Sequence, residues 1–236
     1  MPVLTVRVTE ELRFFLPARH RGGHVQMTYD GSSSLGHVVE SLGVPLPEVG
    51  RLRVAGRDVA PSYRPQSSDV VDVSAVPRPQ PVPAHRYLLD VHLGALARRL
   101  RLVGVDAAYC NDAADDALLA WASAQRRVLL TQDRGLLRRR ALSLGAYVRG
   151  AGPREQLRDV IDRFAPPLAP FTRCTACNGV LEPVSKQLVL DALAPGTRRS
   201  YDQFARCPDC HRVYWRGAHA ARLDAVVAAA RAVAGP

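Results

Sequence analysis

Residues Val3 to Val8 alternate apolar and polar side chains, the period-two pattern of a strand with one buried face. A Gly-rich turn at Gly22-Gly23 and a second run, Val25 to Tyr29, predict the other arm of a hairpin. After Asp30-Gly31 and a serine cluster suited to capping, Leu35, Val38, Val39 and Leu42 recur at helical spacing until Gly43 stops them. Arg51 to Val54, the tight turn Ala55 to Asp58 and the run Asp69 to Val73 add two strands. The order β-β-α-β-β describes a small half-open sheet wrapped on one helix. The proline-rich stretch Pro77 to Pro83 cannot pair as a central strand and favours stiff extended geometry, so a boundary is expected there.

Beyond it, short apolar runs alternate with helical patterns. Tyr87 to Leu89 reads as a strand ending at Asp90, and Leu93, Leu96, Ala97, Leu100 and Val103 mark one helix face before Gly104. Val105 to Cys110 predicts a second strand, and Asn111-Asp112 the cap of a helix carrying Leu118, Leu119 and Trp121. Val128 to Thr131 is a third strand, Leu136 to Leu144 a helix, Ala146 to Val148 a fourth strand, and Pro153 to Phe164 a helix with Leu157, Val160, Ile161 and Phe164 inward. Repeated β-α units imply an α/β fold whose parallel sheet carries helices on both faces. After Pro166-Pro167 come two Cys-x-x-Cys pairs and an alanine-rich helix, Ala218 to Ala234. The expected domains are therefore 1–76, a linker at 77–84, 85–168 and 169–236.

Charge changes the picture only after the linker. Of 32 basic and 22 acidic residues, nine and eight fall at or before residue 82, which leaves an excess of +9 in the rest of the chain. All the basic residues except Lys186 are arginine, whose planar fork suits phosphate oxygens, so nucleic acid is the expected partner; a codon preference for arginine explains the missing lysine but not the neutral first third. No apolar run is long enough to span a bilayer, and Met1 to Glu10 lacks the apolar block of an export signal, so a cytoplasmic location without membrane attachment is expected.

Ligands of open parallel sheets meet the carboxyl ends of the strands. Asp90 and Asp133 follow the first and third strands of the second region, and Asp112, Asp115 and Asp116 follow the second. Carboxylates crowded at one rim repel unless cations share them, and hard oxygen ligands select Mg²⁺ or Mn²⁺. A phosphodiester is the natural substrate: one ion activates water and a second stabilises the leaving oxygen. Arg98, Arg99 and Arg134 are candidate phosphate contacts. Each acid also has a plain structural reading as a helix cap or a partner of a helix N-terminus, and the run Arg138 to Arg140 reads as a solvated helix face ahead of a substrate clamp. The joint placement carries the catalytic reading.

Cys174, Cys177, Cys207 and Cys210 can close tetrahedrally around Zn²⁺, and a filled four-thiolate shell is structural. The 29 residues between the pairs (178–206) exceed the usual spacing of about 15–20, so a longer hairpin or small insertion is expected. Cys110 is expected to be a buried strand residue and His211 a surface residue beside the second pair; His92 and His219 are given structural roles ahead of substrate contacts.

The string from Leu89-Asp90 to Val103-Gly104, then Asn111-Asp112 with Asp115, Leu130-Thr131-Gln132-Asp133-Arg134-Gly135, Cys174-Thr175-Ala176-Cys177-Asn178-Gly179, Cys207-Pro208-Asp209-Cys210 and Val213-Tyr214-Trp215-Arg216-Gly217 together resemble the Mut7-C RNase domain family over about residues 86–220. The resemblance implies a PIN-like nuclease fold with a fused zinc ribbon, catalytic acids at Asp90, Asp115 and Asp133, and Asp112 and Asp116 as helpers. The first segment resembles the ubiquitin-like domain that precedes such RNases, a β-grasp fold akin to sulfur carriers. It runs into Pro77 without the terminal Gly-Gly those carriers activate, which favours protein docking over sulfur transfer. Ala95 stands where relatives often carry a basic residue. The expected activity is metal-dependent hydrolysis of RNA, with transfer, ribosomal and messenger RNA left open as the substrate. The rival reading is a non-catalytic RNA-binding or ribosome-associated adaptor in which the acids are only caps.

Overall fold

The computed structural model describes residues 2–235. They form two compact units, one of residues up to Gln80 together with Asp133–Tyr147, the other of Pro81–Gln132 and the chain from Val148 onward.

In the first unit β1 (Val3–Val8), β2 (His24–Thr28), α1 (Leu35–Ser41), β3 (Val49–Val54), β4 (Arg57–Val59) and β5 (Val70–Ala75) build a five-stranded sheet in the order β2-β1-β5-β3-β4. β1 runs parallel to β5, with Val6 opposite Val71 and Val8 opposite Val73, and antiparallel to β2. The alternation of β1 sends Leu4, Val6 and Val8 inward, where Val6 and Val8 meet Leu35 and Val39 from α1 and Leu42 at its C-cap. Ser34 caps that helix by accepting the His37 amide. Gly43 ends it with φ +108°, and a Cβ there would lie 2.5 Å from the Phe15 carbonyl oxygen, so only glycine fits.

The expected hairpin between β1 and β2 has no tight turn. Two short 3-10 segments, Glu10–Phe15 and Ala18–His20, intervene because Leu12, Phe15 and Leu16 are drawn into the core.

The second unit contains β6 (Arg86–Leu89), α2 (Gly94–Leu102), β7 (Asp106–Tyr109), α3 (Asp115–Ala124) and β8 (Val128–Thr131). β6 lies between β7 and β8 and is parallel to both, with Leu89 paired to Tyr109 on one side and Leu130 on the other. Buried on both flanks, Tyr87, Leu88 and Leu89 form the continuous apolar run expected of a central parallel strand. α4 (Arg134–Leu137) and β9 (Gly145–Tyr147) belong to the first unit, where residues 133–147 pack with residues 1–80. α5 (Pro153–Phe164) buries Leu157, Val160, Ile161 and Phe164, as its periodicity requires.

Two helix expectations are corrected. Asn111-Asp112 does not cap α3, which starts at Asp115 with Ala114 in the cap position, because the chain stays in a loop through residues 111–114. The helix expected over Leu136 to Leu144 stops at Leu137, beyond which the Arg138, Arg139 and Leu142 amides bond carbonyls three residues back in isolated turns.

The remaining chain forms β10 (Glu182–Val184), α6 (Pro195–Ser200), β11 (Phe204–Arg206), β12 (Val213–Tyr214) and α7 (Ala220–Ala234). β11 pairs antiparallel with both β10 and β12. The long spacing between the cysteine pairs is filled by a 3-10 segment, Lys186–Ala192, followed by α6, a small helical insertion.

Candidate active site and metal centre

Asp90 sits where β6 ends, is 5% exposed, and begins a 3-10 turn. Its Oδ1 accepts the Val91 amide at 2.6 Å and its Oδ2 the Thr131 hydroxyl at 2.6 Å, while its own amide donates to the Leu130 carbonyl at 3.0 Å. A buried carboxylate costs free energy unless donors satisfy it, and here one comes from its own turn and one from the end of β8. Each oxygen keeps a further lone pair for a ligand. Thr131, fully buried, was not singled out by the sequence; its signal is a hydroxyl closing an otherwise apolar strand. Tyr109 is a second such residue. Its hydroxyl donates to the Val91 carbonyl at 2.8 Å, over Gly94, where a Cβ would come within 2.7 Å of that hydroxyl.

The other carboxylates are differently placed. Asp112 is exposed and accepts the Cys110 thiol at 2.9 Å; Cys110 is therefore not the buried strand residue expected, since β7 ends at Tyr109. Asp115 and Asp116 are exposed in the first turn of α3, where its N-terminal dipole favours negative charge. Asp133, in the first unit, caps α4, its Oδ1 accepting the amides of Gly135 at 2.6 Å and Leu136 at 3.4 Å. Among the described residues the acids of the second unit do not converge into a group of three within reach of one ion.

Of the candidate phosphate contacts, Arg98 is exposed and Arg99 half-buried on α2. Arg134 is already engaged within the first unit. It donates to the carbonyls of Phe15 at 3.0 Å and Phe14 at 3.3 Å, and its guanidinium stands 5.0 Å from each of their rings. Tyr147 completes that cluster, its ring 5.2 Å from Phe15 and its amide donating to the buried Glu48 carboxylate at 2.8 Å.

The four cysteine sulfurs lie within 4.8 Å of one another, with Cys174 to Cys210 at 3.5 Å and Cys177 to Cys207 at 3.4 Å. Tetrahedral Zn–S bonds of about 2.3 Å put sulfurs about 3.8 Å apart, so the cluster fits a structural zinc. The two knuckles repeat one geometry. The Asn178 and His211 amides bond the carbonyls of Cys174 and Cys207, each at 2.9 Å, and both residues take positive φ. His211 is thus an exposed turn residue, as expected. Burial raises the Cys174 thiol, but the Tyr214 hydroxyl and the Cys177 and Ala176 amides outweigh it and bring it down to about 6, while burial pushes Cys177 up to about 12. Thiols this close cannot all ionise without a cation among them.

One arginine ties this ribbon to the α/β layer. Arg101 on α2, 3% exposed, donates through Nε to Ala107 of β7 at 2.7 Å and through Nη1 to the first-knuckle carbonyls of Ala176 at 2.7 Å and Thr175 at 3.2 Å. Beside it Asp106 accepts Arg127 at 2.5 Å and Asn178 at 2.8 Å. Burial raises the Asp106 carboxyl, yet these hydrogen bonds hold it below the usual range.

Two family models match the chain: one described as Mut7-C RNAse domain over residues 85–227, the other as Mut7-C ubiquitin over residues 1–81. No curated protein and no solved structure matches.

Proposed function

Because the chain belongs to the Mut7-C RNAse domain family, with that family's ubiquitin-like domain in front, we propose that it is a metal-dependent ribonuclease acting on RNA in the cytoplasm. The observation that carries this reading is Asp90, a buried carboxylate at the end of the middle strand, pinned through both oxygens by Val91 and Thr131. Such a group is oriented before any ligand arrives, which a metal-binding acid requires and a surface cap does not. Asp112, Asp115, Asp116 and Asp133 are the further acids in this proposal, and their oxygens are the hard donors that Mg²⁺ or Mn²⁺ prefers. When bound, the ion supplies an activated water and offsets charge developing on the phosphate. Arg98 and Arg99 hold the RNA backbone. The ubiquitin-like domain is read as a protein-docking module, since its sequence runs into Pro77 without a Gly-Gly end. Among the described residues no helix is long and apolar enough to cross a membrane.

One observation favours the adaptor reading instead: Asp133 serves as the cap of α4. Cleavage of labelled transfer and ribosomal RNA, with Mn²⁺, with Mg²⁺ and in metal-depleted buffer, decides between them. Asp90→Asn and Asp133→Asn keep the shapes of their side chains. Loss of several kcal/mol of charge stabilisation corresponds to a fall of about 10²-fold or more in rate for each. RNA binding without cleavage under either metal overturns the nuclease reading in favour of the adaptor.

A further inference from the structure

The ribbon sheet has two unlike faces. Tyr214 directs its hydroxyl to the Cys174 sulfur at 3.0 Å, so Tyr214 and its ladder partner Ala205 face the metal centre. Side chains alternate along a strand, which sends Val213 and Trp215 to the opposite face together with Phe204 and Arg206. Phe204 is covered by Val189 and Leu193 of the insertion. Trp215 is not: its ring lies 6.3 Å from that of Phe204, yet the residue remains 41% exposed. Gly217 makes room beneath it, since a Cβ there would stand 2.7 Å from the indole Nε1.

The charges around this ring are sorted. Arg216 is occupied by Asp224 at 2.6 Å and by the Phe171 ring at 5.2 Å. Arg206, which shares the Trp215 face, is exposed and makes no ion pair among the described residues. The acids nearby in sequence or register are Glu182, opposite Arg206, Asp209 in the second knuckle, and Asp202, which pairs with Lys186. A partly bare indole with a free guanidinium on the same face, in a chain whose residues after 82 carry an excess of +9, matches a ligand with flat apolar rings on an anionic backbone.

We propose that Trp215 and Arg206 form a stacking platform for unpaired RNA, with a base against the indole and a flanking phosphate on the arginine. The proposal rests on RNA as the ligand of this protein and not on cleavage. Duplex RNA keeps its bases stacked on one another and offers the indole nothing.

The test uses the full zinc-loaded chain with Asp90→Asn to keep RNA intact and Trp121→Phe to leave Trp215 as the sole indole. A labelled oligouridylate reports binding by anisotropy, and unlabelled oligouridylate reports contact by quenching of Trp215 emission. The expected result is saturable quenching at the anisotropy midpoint. Trp215→Ala should weaken binding about 5- to 100-fold, and Trp215→Phe less. Arg206→Gln should lower the salt slope by about one. Zinc content and far-UV dichroism check that the variants fold. Binding without quenching, an unchanged Kd in Trp215→Ala, or equal affinity for an RNA duplex overturns the platform. Absence of any anisotropy change overturns the RNA reading itself, and the platform with it.

Discussion

Arg134 offers the sharpest test of what residues 133–147 do in the first unit. Its guanidinium makes two hydrogen bonds, at 3.0 and 3.3 Å, to the carbonyls of Phe15 and Phe14, and faces both rings at 5.0 Å. Charge-assisted hydrogen bonds contribute about 1.5–3 kcal/mol each, and a cation–π contact at a wet site about 0.5–1 kcal/mol. Arg134 is half-buried and its second hydrogen bond is too long to count, so the first bond and the two ring contacts at the low end of each range make Arg134→Ala cost about 2–3 kcal/mol. Arg134→Lys keeps the charge but loses the fork, and should fall between alanine and wild type. Both tryptophans lie in the second unit, so fluorescence is blind here. Hydrogen exchange followed by mass spectrometry reads the right amides. In the alanine variant, exchange at 134–137 and 12–16 should accelerate about 30- to 150-fold, as about 2–3 kcal/mol implies. Exchange within twofold of wild type, together with a tenfold loss of RNA affinity, would refute this reasoning and return Arg134 to a role as a phosphate contact.

Three further outcomes are expected. Gly104→Ala places a methyl 1.9 Å from the Ala169 carbonyl oxygen at φ +87°, so it should lower stability by at least about 2–4 kcal/mol; a urea midpoint matching wild type would show that the Ala169 loop yields freely. Because the folded pKa of Asp106 lies below its unfolded value, its stabilisation is complete above about pH 4 and lost as pH falls through the folded value; Asp106→Asn should cost about 1–3 kcal/mol at neutral pH, a gap that closes on acid titration. Zinc removal frees the knuckle carbonyls that hold Arg101, so the α/β layer should lose about 2–4 kcal/mol, read from Trp121 in a Trp215→Phe background; an unmoved Trp121 transition would mean the ribbon and layer melt independently.

Elements whose pattern and packing agree were legible in the sequence. β1, α1 and α5 combine clear periodicity with an unambiguous stop, and the two cysteine pairs announce their geometry through spacing alone. Segments whose fate depends on distant partners were not. Leu12, Phe15 and Leu16 lie in a stretch that reads as connection, and only a core shared with α1 explains their burial. Arg101 looks like one more cation on a basic helix until the knuckle, 74 and 75 positions away, supplies its carbonyl acceptors. The same holds at the site: Asp90 follows from a strand end, whereas Thr131, its partner 41 positions on, needs the parallel pairing of β6 and β8.

The first unit is discontinuous, and the chain passes between units at 80–81, 132–133 and 147–148. A protease nick in the proline-rich spacer therefore severs one of three crossings and leaves residues 133–147 attached through their contacts with Phe14, Phe15 and Glu48. Conversely, a gene fragment beginning at residue 85 would encode β9 stripped of the rings and carboxylate that cover Tyr147. A recombination event in the spacer would therefore part residues 133–147 from the residues 1–80 against which they pack.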